Sequence, residues 1–147
     1  MIVKGTYFFV NQSDFDIDVD MTYPFYVDSL HLYPERIEAA VGKLGLPFRK
    51  NEKNIVWSLH FKPESVDTVS VTYTQELKSK DAIYIMNTAQ LWNQKLDRAS
   101  FVIITPKNFP KISFSIEPDS FITKRNEKIY YITKRYYTPK KNFIMTW

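Results

Sequence analysis

An all-β chain folded as a two-sheet antiparallel sandwich is the class this sequence predicts, and three observations predict it. Apolar and polar residues alternate with the two-residue period of a half-buried strand, most cleanly where Ile17, Val19, Met21 and Tyr23 interleave with Asp16, Asp18, Asp20 and Thr22. Ten Tyr, eleven Phe and three Trp, set against eight Pro and only three Gly, weight the composition towards strands and away from long helices. Roughly ten strand-type runs are too many for one open twisted sheet of this size, which implies two packed layers with at most one or two short helical turns. The 147 residues read as a single domain, 1–147, large enough to bury a core without staples.

Gly5 to Val10 is a strand closed by the turn formers Asn11, Gln12, Ser13 and Asp14, and the Asp-rich strand that follows stops at Pro24, which lacks a ladder N–H. The spacing predicts that these two strands form a hairpin. Residues 34–48 fit either a short helix with Pro34 at its first position or a hairpin turning at Gly42-Lys43; the hairpin is preferred, because Gly suits the first central position of a two-residue loop.

Residues 54–106 read as the continuous antiparallel centre of a sheet. Ile55, Trp57, Leu59 and Phe61 alternate with Val56, Ser58 and His60, and Val69, Val71 and Tyr73 with Thr68, Ser70, Thr72 and Thr74; the link between them predicts a second hairpin. Tyr84 with Ile83, Ile85 and Met86 makes the next strand. Phe101 to Ile104, apolar on both faces, reads as a central one, with Trp57, Val71, Ile85 and Ile103 expected on adjacent core strands. Between them, Leu91, Trp92 and Leu96 are the apolar anchors of an irregular or helical turn. Farther on, Ile112, Phe114 and Ile116 alternate with serines, Pro118-Asp119-Ser120 begins a loop, and Ile129–Tyr137 and Phe143–Trp147 are the last strands.

Several of these stretches carry a resemblance. GTYFFVNQSDFDIDVDMTYPF, IVWSLHFKPESVDTVSVTYTQEL, IYIMNTAQLWNQKLDRASFVIITP and YYTPKKNFIMTW, in that order, resemble an uncharacterised bacterial family of exported β-sandwich proteins. The opening is more remotely similar to vault and inter-alpha-trypsin-type domains. The resemblance implies an extracytoplasmic location, periplasmic or secreted, with a signal outside these residues; a cytoplasmic location stays open. It brings no activity and no functional residues.

The chemistry the residues themselves offer is sparse. Without cysteine there is no disulfide, thiolate metal site or cysteine nucleophile, and no serine sits in a G-x-S-x-G setting. Asp14, Asp16, Asp18 and Asp20 suggest a calcium loop, yet Val19 and Phe25 stand where an EF-hand needs Gly and Glu. On a strand they line one solvent face about 6.6 Å apart, the guard an edge strand uses. His31 and His60 lack metal-ligand spacing, and nothing selects Glu64, Glu76 or Glu117 as a catalytic pair. No catalytic residue, cofactor or metal is expected, and no stretch is long enough for a membrane helix.

The net charge of +4 and pI near 9.1 are too mild to make nucleic acid the expected partner. The last third, however, interleaves cations with tyrosines, and Lys124, Arg125, Tyr131, Lys134, Arg135, Lys140 and Lys141 form a candidate anionic-ligand surface. The plainer reading is two amphipathic strands whose cations keep an edge soluble. Adjacent residues on a strand point to opposite faces, so Lys124 with Arg125, and Lys134 with Arg135, cannot share one. The residues therefore point to a non-catalytic structural or protein-interaction module; the resemblance implies that it belongs to the bacterial envelope, its partner a protein or envelope polymer. A carbohydrate- or anionic-polymer-binding module is the alternative.

Overall fold

Thirteen strands and no α-helix make up the described residues, 1–88 and 95–147, of a computed structural model of the chain. They are β1 (Ile2–Val10), β2 (Ile17–Pro24), β3 (Glu35–Val41), β4 (Leu44–Gly45), β5 (Arg49–Lys50), β6 (Asn54–Phe61), β7 (Val66–Thr74), β8 (Asp81–Tyr84), β9 (Leu96–Pro106), β10 (Ser113–Phe114), β11 (Ser120–Thr123), β12 (Glu127–Tyr137) and β13 (Phe143–Thr146). The excess over the expected ten comes from the two-residue segments β4 and β5, which stand where one strand was expected, and from the four-residue β11, where a loop was expected. All pairings are antiparallel, and the fold is all-β. The chain divides into two compact units, Met1–Ser79 and Lys80–Trp147, each holding two small sheets.

In the first unit the sheets run β1-β7-β3-β4 and β2-β6-β5. Neither expected hairpin forms: β1 pairs β7 rather than β2, and β6 pairs β2 rather than β7. The physical reason is burial. Ile55, Trp57, Leu59 and Phe61 on β6 and Val69, Val71 and Tyr73 on β7 are all buried, and strands in one layer cannot cover each other's faces; strands in facing layers can.

The two connections that cross between layers are knit together by Asn11. It is 4% exposed; its Nδ2 donates to the carbonyls of Phe15 and Lys62, both at 2.9 Å, while its Oδ1 accepts from the Ser13 N–H and hydroxyl. Across the layers the Tyr7 hydroxyl donates to Tyr23 at 3.0 Å, and Phe25 sits edge-on to Tyr73 with centroids 4.9 Å apart. A Cβ at Gly5 would collide with the Tyr7 ring, so only glycine lets that ring lie back over its own strand. The preferred hairpin of residues 34–48 is present: Val41 faces Leu44 across Gly42-Lys43, and Gly42 has φ +58° while Lys43 does not turn positive, as a type II′ turn requires.

The second unit has sheets β10-β13-β8 and β11-β12-β9 around Met86, Ile132 and Phe143, with Phe101, Ile103, Phe114 and Ile116 packed against them. The continuous central sheet expected over residues 54–106 is not there, since β6, β7, β8 and β9 lie in four different sheets. Trp57 and Val71 are buried in facing layers of the first unit, and Ile85 and Ile103 belong to the second, so the four are not on adjacent strands. β9 is an edge strand rather than a central one: only β12 pairs it, and Val102 and Ile104 are both 59% exposed. Residues 120–123, expected as loop, form β11 against β12. Of the expected helical plug, Leu91 and Trp92 lie outside the described residues, and Leu96 begins β9.

Candidate functional site

Three polar assemblies stand out among the described side chains. The first is a chain in the order carboxylate, imidazole, hydroxyl. The His31 Nδ1 donates to Asp28 Oδ1 at 2.9 Å, and the Ser79 hydroxyl lies 3.3 Å from His31 Nε2. Asp28 Oδ1 also accepts from the backbone N–H groups of Leu30 and His31, both at 2.8 Å. The His31 hydrogen bond, with the Leu30 N–H behind it, holds the Asp28 carboxyl down to about 2.

The order is that of a nucleophilic triad, but its surroundings are those of a staple. His31 is 3% exposed with its ring edge-on to Tyr26, and its backbone bridges to Leu77, so the assembly fastens residues 28–31 to 77–79. A triad also needs donors aimed at a developing oxyanion. The Lys78 N–H beside Ser79 is already given to the Leu30 carbonyl at 2.7 Å.

The second assembly is the outer face of β2 and β6. Asp18 faces His60 with Oδ1 at 2.9 Å from Nδ1, and Asp20 faces Ser58, whose hydroxyl donates at 2.6 Å. The Asp18 hydrogen bond raises the His60 imidazole above its ordinary value. Among the described residues no three acidic or imidazole side chains are grouped to hold a metal ion. Because β2 pairs only β6, the exposed Asp18 and Asp20 lie on an edge strand.

The third lies in the second unit, where charge is concentrated. Residues 1–79 carry eight Lys and Arg against eleven Asp and Glu, a net −3; residues 80–147 carry twelve against five, a net +7. Within it Arg98 of β9 and Arg135 of β12 are directly opposite each other in the ladder. With Asp97 and Tyr136 they line a surface hollow of about 360 Å³. Like charges directly opposite on neighbouring strands repel. Neither guanidinium has a carboxylate within ion-pair distance among the described residues, and Arg98 Nε donates only to Ser100 at 3.1 Å. Beside them Tyr136 is 73% exposed at φ +48°, a left-handed conformation that a bulky residue adopts only under constraint.

Of the seven residues singled out from the sequence, Tyr131, Lys134 and Arg135 lie on β12 and the other four beyond its two ends. Lys124 and Arg125 lie in the β11–β12 turn, closed by the Lys124 N–H on Glu127 O. Arg135 sits about 30 Å away at the far end of the strand, and Lys140 and Lys141 follow in the exposed link to β13. Lys134 points to the other face and is taken by Asp119 at 3.4 Å. Tyr131 is half-buried opposite Val102, on the same face as Arg135. The outer face of β9 and β12 thus grades from Arg98 and Arg135, through Ser100 and Thr133, to Tyr131, Val102 and Ile104.

Arg98 was missed because it lay in the polar stretch read as irregular; only the β9–β12 register sets it against Arg135. No family model, curated protein or solved structure matches the chain.

Proposed function

We propose that the protein is a non-catalytic interaction module of the bacterial envelope whose second unit binds an anionic polymer along the outer face of β9 and β12. The observation that carries this reading is the directly opposed, unneutralised pair Arg98 and Arg135. An anionic group seated between them turns a repulsive cross-strand pair into two charge-assisted hydrogen bonds, which are roughly twice as strong as neutral ones. The hydroxyls of Ser100 and Thr133 and the ring of Tyr131 continue the face with contacts suited to a sugar backbone. The sequence resemblance is what supports an extracytoplasmic location, and specific nucleic-acid recognition is not part of the proposal.

Titration with heparin-like and teichoic-acid-like polymers at several salt concentrations tests it. Affinity is expected to fall steeply with salt, because each neutralised charge releases counterions. The double variant Arg98→Gln/Arg135→Gln is expected to bind at least about tenfold more weakly and to flatten the salt slope by about two contacts. Lys124→Gln/Arg125→Gln, at the distant end of β12, is expected to change affinity less. Binding indifferent to the arginine pair, or to salt, defeats the proposal.

A further inference from the structure

Edge strands expose rows of unpaired N–H and C=O groups, and long ones need guarding. Of the long edge strands here, β2 carries Asp18, Asp20 and Pro24, and β9 carries Asp97, Arg98 and Pro106. β1 is the exception. Its nine residues, IVKGTYFFV, contain one charge, Lys4, and no proline, and among the described residues no strand pairs its far side.

The ladder fixes which groups face outward. Met1 and Gln75 exchange both backbone bonds, at 2.7 and 2.8 Å, and the Asn11 N–H donates to Ser65 O at 3.0 Å. Bonded and non-bonded pairs alternate along an antiparallel ladder. The odd-numbered residues of β1 therefore bond β7 in the unbroken register Ile2↔Thr74 to Val10↔Val66, and Ile2, Lys4, Thr6, Phe8 and Val10 turn their N–H and C=O to the open edge. The same five side chains share the outer face, where Ile2 is 70%, Phe8 71% and Val10 56% exposed.

We propose that this edge receives β1 of a second copy of the chain, the two strands pairing antiparallel about a two-fold axis through Thr6. That register is self-complementary. Thr6 meets Thr6 of the second copy, Ile2 meets Val10, and the sole cation, Lys4, meets the Phe8 ring, whose face it attracts. Every outward N–H finds a carbonyl, no like charges oppose, and the sheet continues as β4-β3-β7-β1-β1-β7-β3-β4. The interface is isologous, as a two-fold dimer requires. Because both copies carry the same net charge of +4, added salt favours the dimer, opposite in sign to its effect on polyanion binding.

Sedimentation of the whole chain from micromolar to millimolar concentration, with hydrogen exchange at each, tests the pairing. The expected result is a concentration-dependent dimer in which the amides of Lys4, Thr6, Phe8 and Val10 become slow to exchange. Thr6→Pro removes an N–H that β7 does not use, so the variant is expected to stay folded and monomeric. Phe8→Lys sets two ammoniums against each other and is expected to weaken dimerisation at least about tenfold. Adding Lys4→Glu to Phe8→Lys is expected to restore it, and this pair of variants decides the question should Thr6→Pro fail to fold. A monomer throughout the range, a dimer indifferent to Phe8→Lys, or one in which those four amides stay fast overturns the proposal.

Discussion

At the scale of single residues, the buried polar side chains were invisible in the sequence, because their partners are distant in the chain. Gln75 is 1% exposed and donates to the carbonyls of Tyr26 and Leu32, which no spacing predicts. Trp57 was legible as core from its alternation, but not the absence, among the described residues, of a partner for its buried Nε1. Asp28 offers the clearest measurable consequence. Its carboxyl is held at about 2 in the folded chain, below the ordinary value of 3.8, so folding favours the ionised form. The resulting stability is present above about pH 4 and is lost as pH falls through about 2. In Asp28→Asn the denaturation midpoint is therefore expected to vary less with pH across that window, and to approach the parent's midpoint at its acid end. The side chain is 41% exposed, so the difference should shrink in high salt. Equal pH dependence in both proteins would remove the His31 and Leu30 hydrogen bonds as the cause.

At the scale of elements, strand identity was legible and strand neighbours were not. Alternation tells which side chains face the core, and the buried faces of β6 and β7 agree with it. It does not tell whether a short polar link turns a strand back beside its predecessor or carries it to the facing sheet. Gly42 made the β3–β4 hairpin readable, because its positive φ suits a two-residue loop. The links at residues 11–16 and 62–65 have no such marker. Burial of both strand faces makes them crossovers, and Asn11, which bonds into both, fastens them to each other. Asn11→Ala leaves the Phe15 and Lys62 carbonyls and the Ser13 N–H without that partner, and is expected to cost about 2–4 kcal/mol in urea denaturation. Asn11→Asp should be no better, since it sets a carboxylate against carbonyl oxygens. A midpoint unchanged by Asn11→Ala would mean that backbone pairing alone holds the crossovers.

At the scale of the whole molecule, the division of charge was partly legible: the run of cations in the last third was visible, but their arrangement depends on pairings between strands. The basic tally of residues 80–147 is not one patch, because Lys134 is taken by Asp119 and the length of β12 separates Arg125 from Arg135. What concentrates charge is the register of β9 on β12, which sets Arg98 against Arg135. Polyanion binding is therefore expected to perturb amide resonances within residues 80–147, centred on Arg98, Ser100, Thr133 and Arg135, and to leave residues 1–79, with their net −3, unaffected. The size of the response separates a site from diffuse attraction. A site saturates, and Arg98→Gln alone removes most of the response, because a single remaining guanidinium no longer repels a neighbour and gains less from an anion. Diffuse attraction instead moves the cation-bearing resonances in proportion to their exposure, Lys124, Arg125, Lys140 and Lys141 among them, and loses only one charge's share on Arg98→Gln. Mapping the shifts for the parent and that one variant at two salt concentrations distinguishes these outcomes, and a proportional response would reduce the second unit from a binding face to a merely soluble one.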